Sequence, residues 1–525
     1  MFIYIIKMLK VAQEVNIPNY SKLQPSENSG NDFTPTSNSK IRFNVDGNQF
    51  PMISPHNSYL EFDIEATDNN CKVEFNKSKQ GCNVVIKSLK CYVNNVIVED
   101  IDNYNDLAHI CSEYGQTDDE RNLSAVFDHN VGKQGLLCTG VANPPVNNKI
   151  KCVTQLKESG LWGNDTALPV MAFESIQVEI ELEEAVKVLK RQCLASYKVA
   201  DIIVPAGGNI LAIVMSPNLC PYNAAQVIDS PRYDTFSDLN DFPLTAGDRI
   251  TLKTKRGDTG AAENFTDQTI TGVTVNADGN IEIACSIAGT ATRSHRDCSI
   301  EPTLGNDGNA IASSYKITNP QLAIRTLEVP PQMAQSMLGR MEAGALFYDI
   351  KTYSCYKTTN PAAQAFNTIT IPCRSNRGLG MLAKGKTANQ ANVLSIAGYN
   401  WDGEYNDLKQ YQFQYGEERR PDRPVNLNSM LFAERYASQE HIKELEAALK
   451  DSGCHANDLR KHFENFVIGR GMSYKGSSED LSGIEVLLYI EYNAAGGTTS
   501  KLWTSFCHHI RRIQADPNGF HQVVY

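Results

Sequence analysis

The chain has 525 residues, enough for two or three domains with a sizeable core in each. Its 41% hydrophobic and 21% charged residues are ordinary for a globular protein. A formal net charge of −11 argues against a large phosphate-neutralising surface, so no direct sequence-specific nucleic acid binding is expected.

The N-terminus, Phe2 to Val11, is apolar but interrupted by Lys7 and Lys10. A spanning helix needs about 20 apolar residues, and no small-residue cleavage site follows, so neither anchor nor signal peptide is expected. Met8 offers an alternative start. Residues 18 to 40 are rich in Pro, Ser, Asn and Thr and read as an extended arm. From Lys40 onward the dominant period is two. In Tyr59–Glu65, Leu60, Phe62 and Ile64 alternate with Glu61, Asp63 and Glu65, which predicts a half-buried strand with one charged face. A short helix is predicted over Asn105–Tyr114, and a second alternating strand over Ser175–Leu182. Further strands are predicted at Ile250–Leu252, Val273–Val275, Ile281–Ile287, Leu322–Ile324, Ile369–Ile371, Tyr411–Tyr415 and Ile484–Tyr492. Asp46-Gly47, Gly207-Gly208 and Asp278-Gly279 supply turn chemistry, the last between two alternating runs as in a hairpin. The clearest helix is Ser438–Asp451, with a stripe of Ile442, Leu445 and Leu449 and Gly453 to end it. Many short strands and few helices predict an all-β, multi-domain chain of sandwiches or barrels. The pattern alone does not choose among topologies.

Fourteen cysteines, Cys71, Cys82, Cys91, Cys111 and Cys138 among them, are scattered without CxxC pairs, which predicts free thiols in a reducing compartment. On that reading the Asn-x-Ser/Thr matches at Asn76, Asn122, Asn164 and Asn264 are chance. Gly380 to Thr387 is a literal G-x-x-x-x-G-K-[ST] match. A true phosphate loop would use Gly380, Gly385 and their backbone N–H groups as a cradle, Lys386 for the terminal phosphates and Thr387 for magnesium. The motif also requires a preceding parallel strand and a following helix, and here Pro372, Arg374, Asn376 and Arg377 intervene before Gly380. An apolar run ending in an acid, Val486–Glu491, exists but in β-rich surroundings. Cys507-His508-His509 and Cys454-His455 lack the paired spacing of zinc ligands and read as core or interface packing. Glu417 to Arg423 is a charge-balanced cluster that reads as a solvated loop or a subunit contact. No G-x-S-x-G or other catalytic arrangement stands out. No catalytic residue, metal or cofactor is therefore expected. A P-loop NTPase using Gly380–Thr387 and a secreted β-sandwich adhesion or carbohydrate-binding protein are the alternatives.

The order of several blocks resembles the double jelly-roll major capsid proteins of icosahedral DNA viruses, particularly those of polinton-like viruses, polintons and virophages. Ser58 to Ile64 looks like an early strand of the first barrel, and Val84 to Asn105 is similar to the strand-turn-helix that follows. Leu168-Pro169 with Ile176–Leu182 resembles the later strand pair, and Ile317–Pro331 the closing strand. Tyr411–Tyr415, Pro421–Val425, the helix after Tyr436, Phe466–Arg470 and Leu481–Tyr492 resemble the second barrel. The likeness covers about residues 40 to 525 and places Gly380–Thr387 in a loop of the second barrel.

The resemblance implies an all-β fold of two tandem jelly-roll barrels, with a β-rich insertion in the first and a few short helices. It divides the chain into an arm (1–39), a first jelly roll (40–330) with an inserted tower (200–315), and a second jelly roll (331–525). The implied role is structural: a homotrimer forming a pseudo-hexagonal capsomer of a virion shell. Its implied partners are neighbouring capsomers, penton and minor capsid proteins, and an internal membrane where the virus has one. Synthesis is expected in the reducing cytoplasm or nucleus of a host cell. The arm at residues 18–40 is a candidate clamp that orders on a neighbouring capsomer or on a membrane or minor protein beneath the shell, or else a disordered tail.

Overall fold

The computed structural model describes residues 19–26, 32–66, 72–75, 80–115, 136–137, 149–191, 197–204, 209–214, 246, 249–257, 264–275, 281–288, 293–302, 315–344, 346–361, 364–387, 399, 401–405, 408–427, 439–450, 465–472, 478–493, 500–515 and 521–524. In chain order the strands begin with Asn19–Leu23 (β1), Asp32–Phe33 (β2), Lys40–Asp46 (β3), Ile53–Ala66 (β4), Lys72–Phe75 (β5), Ile86–Val93 (β6) and Val96–Asp102 (β7). Helix Tyr104–Gly115 (α1) precedes Leu136–Leu137 (β8), Lys149–Thr154 (β9), Ser175–Leu182 (β10) and Leu189–Arg191 (β11). Then come Tyr197–Val204 (β12), Asn209–Val214 (β13), Arg249–Gly257 (β14), Asn264–Val275 (β15), Ile281–Ala288 (β16), Arg293–Pro302 (β17), Tyr315–Thr326 (β18) and helix Pro331–Glu342 (α2). The second half holds Leu346–Asn360 (β19), Phe366–Ile371 (β20), Gly378–Thr387 (β21), Leu408–Tyr415 (β22) and Glu418–Asn426 (β23). It ends with helix Gln439–Lys450 (α3), Ile468–Gly471 (β24), Val486–Tyr492 (β25), Lys501–Ala515 (β26) and His521–Val524 (β27).

Two sheets face each other in each half. The first half pairs the sheet β1-β18-β4-β9, with β2 also on β18, with the sheet β3-β10-β6-β7. The second pairs β19-β26-β21-β24 with β20-β25-β22-β23. Counting β1 and β2 as one position, and setting aside the small sheet β11-β5-β8, the inserted strands β12–β17 and the added strand β27 on β26, each half has eight strands, and both halves place them identically: first-eighth-third-sixth in one sheet, second-seventh-fourth-fifth in the other. That order is the eight-stranded double Greek key of a jelly roll. In both halves a helix follows the fifth strand, α1 in one and α3 in the other. The fold is a double jelly roll.

The six strands β12–β17 close into a separate barrel, inserted between the seventh and eighth strands of the first unit. Within it β15 and β16 pair antiparallel with Val275 opposite Ile281, the hairpin that Asp278-Gly279 signals.

The alternation read from the sequence sets the packing. Leu60, Phe62 and Ile64 on β4 and Ile176, Val178, Ile180 and Leu182 on β10 are buried in one apolar core with Phe43, Leu89 and Phe173. The charged faces are laced across strands. Glu179, only 3% exposed, accepts from Arg42 at 2.7 Å and pairs with Lys40 at 2.9 Å. Glu61 pairs with Lys22 and Lys151, and Glu181 with Lys87 at 2.6 Å. In α3 the buried face is His441, Leu445, Ala448 and Leu449, while Ile442 is only half-buried.

Three expectations are corrected. Residues 19–23 and 32–33 of the arm are not an extended tail but strands on β18 of their own barrel; apolar Phe33 is buried there. The cluster around Arg419 to Arg423 is not a loop but the edge strand β23; an edge tolerates Pro421 and Pro424 because its outer N–H groups have no ladder partner to lose. Arg420 there binds Glu418 and Glu479, both at 2.6 Å. Finally, Cys373 and Cys507 are joined by a buried disulfide, whereas Cys91, Cys152, Cys285 and Cys355 are free thiols among the described residues. The sequence could not show that pair, because 134 residues separate two cysteines that the fold brings together. Phe2–Val11, Gly207-Gly208 and Cys454-His455 lie outside the described residues.

Candidate functional site: the seam between the jelly rolls

The apolar core of the first unit runs on into the second through Tyr348, Ile350, Trp401, Leu445 and Phe506. Set into this seam are the charged groups of the phosphate-loop pattern. Gly380–Thr387 is not a loop: it is most of strand β21, paired with β26 on one side and β24 on the other. Its period of two sends Leu382, Lys384 and Lys386 toward the first unit, while Met381 and Ala383 enter the second unit's own core.

Lys384 and Lys386 both reach Asp106 on α1, at 2.5 and 3.2 Å. Lys384 also donates to the Trp401 carbonyl at 2.9 Å, and the Lys386 ammonium lies 5.0 Å over the Tyr399 ring and 5.2 Å over Trp401. Burial works against the Asp106 carboxylate, but the two ammonium groups outweigh it and hold its pKa well below the usual carboxylate range. Burial lowers the Lys384 pKa to about 8, partly opposed by Asp106, whereas Asp106 and Tyr399 raise that of Lys386 against the same burial. Nearby, His109 is wedged between Gln80 Oε1 at 2.7 Å and Asp402 Oδ1 at 2.9 Å. Burial keeps it neutral to lower pH than a free histidine.

A second polar knot lies along β7 and β19. The buried Glu99 carboxylate accepts from Ser159 Oγ at 2.5 Å, the Gly160 N–H at 2.6 Å and Thr352 Oγ1 at 2.6 Å. A Cβ on Gly160 would lie 2.2 Å from the Lys351 carbonyl oxygen, so only glycine lets the two chains approach this closely. Tyr114 adds a 2.5 Å bond to the Asn465 carbonyl, and Asn164 one of 3.0 Å to that of Asp349. The units are thus joined by buried hydrogen bonds and ion pairs, which fix register more than they add stability.

Every residue of the phosphate-loop pattern has a packing role here. Gly380 lies under Ala448 of α3, where a Cβ would come within 3.2 Å of its carbonyl oxygen. Gly385 lies under the Trp503 indole, where a Cβ would come within 2.7 Å. Gly385→Ala is accordingly expected to cost about 1–3 kcal/mol by overpacking, read from the urea midpoint. The Thr387 hydroxyl and N–H both donate to Glu404 Oε2, at 2.6 and 3.0 Å. Glu491, the acid that ends Val486–Glu491, accepts from Lys409 and Gln410, each at 2.5 Å. A nucleotide cradle needs backbone N–H groups pointing at solvent, and this strand commits its own to two neighbours.

Cys507, His508 and His509 do not converge on a metal position. Cys507 is in the disulfide, His508 stacks on Tyr353 with centroids 4.4 Å apart, and His509 accepts from Arg511 Nε at 3.1 Å. Asp106 and Tyr399 were missed because nothing in a single sequence pairs a helix near residue 106 with a strand near residue 385.

No protein-family model and no curated protein matches this chain. Among solved structures, the VP54 protein of PBCV-1, fitted into a reconstruction of the virophage Sputnik, is 9% identical with a TM-score of 0.48, over 97% of this chain and 98% of that one. The Faustovirus major capsid protein is 9% identical with a TM-score of 0.48, over 95% and 90%. The mavirus major capsid protein is 9% identical with a TM-score of 0.36, over 98% and 93%.

Proposed function

We propose that the chain is the major capsid protein of an icosahedral DNA virus, with a structural and not a catalytic role. The observation that carries this reading is the repetition of one eight-strand order in two units locked side by side. Three copies of such a pair supply six alike barrels, the number that fills a hexagonal tile, and the edge strand β23 carries the prolines and charges that discourage unwanted edge pairing. In this reading residues 40–330 form the first jelly roll, with the tower of 200–315 inserted, and 331–525 form the second. Residues 1–39 are an arm that lends the first unit its leading strand. The partners are two further copies, neighbouring capsomers, penton and minor capsid proteins, and an internal membrane where present. Modest contacts between rigid tiles sum through multivalency. The free thiols at Cys91 and Cys152 favour synthesis in the cytoplasm or nucleus over a secreted adhesin.

Negative-stain microscopy of the purified full chain tests the proposal. Trimers of hexagonal outline are expected; a clean monomer at high concentration overturns it.

A further inference from the structure

A cleft of about 370 Å³ opens beside the seam, between β19, β26 and the segment that follows β20. None of its lining residues is acidic, although the chain as a whole carries a net charge of −11. Arg374 and Arg511 both line it, and Arg374 is exposed and carries no ion pair among the described residues. Arg511 is held in place from two sides: its Nε donates to His509 at 3.1 Å and one terminal nitrogen donates to the Val98 carbonyl at 3.0 Å. Ser375 is 3% exposed, and its hydroxyl oxygen accepts the Arg377 N–H at 3.2 Å. Its own O–H is left to donate, with no acceptor among the described residues. Tyr356 and Pro372 complete an apolar wall.

Two guanidinium groups and a buried hydroxyl donor around a concave space with no carboxylate among its lining residues make a receptor for an anion with several acceptor oxygens. We propose that this cleft binds a small phosphate-bearing anion. The site is separate from the Gly380–Thr387 pattern and does not depend on the capsid reading. Inorganic polyphosphate and a nucleoside triphosphate share the chemistry; they differ in whether the wall of Tyr356 and Pro372 gains a ring to pack against.

Isothermal titration calorimetry of the full chain with sodium tripolyphosphate, and separately with ATP, tests this at low ionic strength, where screening is weakest. Saturable binding of tripolyphosphate at one site per chain is expected, weakened about tenfold or more by Arg374→Glu. Because Arg374 is exposed and makes no ion pair among the described residues, this variant should keep the parent's thermal midpoint. Ser375→Ala should weaken binding without abolishing it. Tighter, Arg374-dependent binding of ATP identifies a nucleotide as the better ligand of the same site. The absence of saturable tripolyphosphate binding, or equal affinity in Arg374→Glu, overturns the proposal.

Discussion

Asp106→Asn is expected to cost about 3–5 kcal/mol of unfolding free energy, because it takes from two buried ammonium groups the carboxylate they both pair with. Lys384 and Lys386 share that single carboxylate, and both are almost wholly withdrawn from water. The loss should appear as a lower urea midpoint with the slope unchanged. Lys384→Met should cost less, since Asp106 keeps Lys386 and burial has already brought the departing amine to about 8. Replacing the whole cluster at once, by Asp106→Leu, Lys384→Met and Lys386→Met in one chain, should recover much of the stability lost in Asp106→Asn, as apolar replacements of buried ion clusters do. An Asp106→Asn chain within about 1 kcal/mol of the parent, the range of an exposed pair, would show that the cluster is not desolvated as described.

Acid is expected to loosen the second unit from about pH 6.5 downward. Burial, with His509 and Lys351 adding repulsion, lowers the His508 pKa to about 3; burial and Arg511 lower that of His509 to about 4. Both folded-state values lie below the unfolded value near 6.5, so the unfolded chain binds more protons throughout the interval. The stability they contribute is therefore complete above pH 6.5, falls as the pH drops, and stops falling for each group only below its folded value. For His508 alone the loss between pH 6.5 and 4 is about 3 kcal/mol at 1.36 kcal/mol per unit. Asp106, held low by the two lysines, adds to the loss only below about pH 3.8. Urea titrations across this range, repeated on His508→Phe, check the assignment: the variant keeps the stack on Tyr353 and should flatten the slope. An identical slope in parent and variant would place the acid sensitivity elsewhere.

The strands themselves were legible because period-two alternation is a local property. Ser175–Leu182 and Ile281–Ile287 were bounded correctly within a residue, and the helices near residues 105 and 440 were both found. Pairing was not legible from pattern, since β18 meets β4 across some 250 residues of chain; the block order alone suggested two barrels. The Gly380–Thr387 pattern misled for a physical reason. Glycines that admit a phosphate and glycines that admit an indole or a helix are the same residue, and only the surroundings tell them apart. Likewise a lysine that neutralises a ligand and one that neutralises Asp106 look alike until the fold supplies the partner.

The six-stranded barrel β12–β17 belongs to one jelly roll only. A ring of six interchangeable units could be turned by one-sixth without any neighbour registering the change. With an ornament on alternate units, that turn puts a bare unit where a decorated one stood. The hexagonal tile proposed above would therefore have two orientations that its surroundings can distinguish.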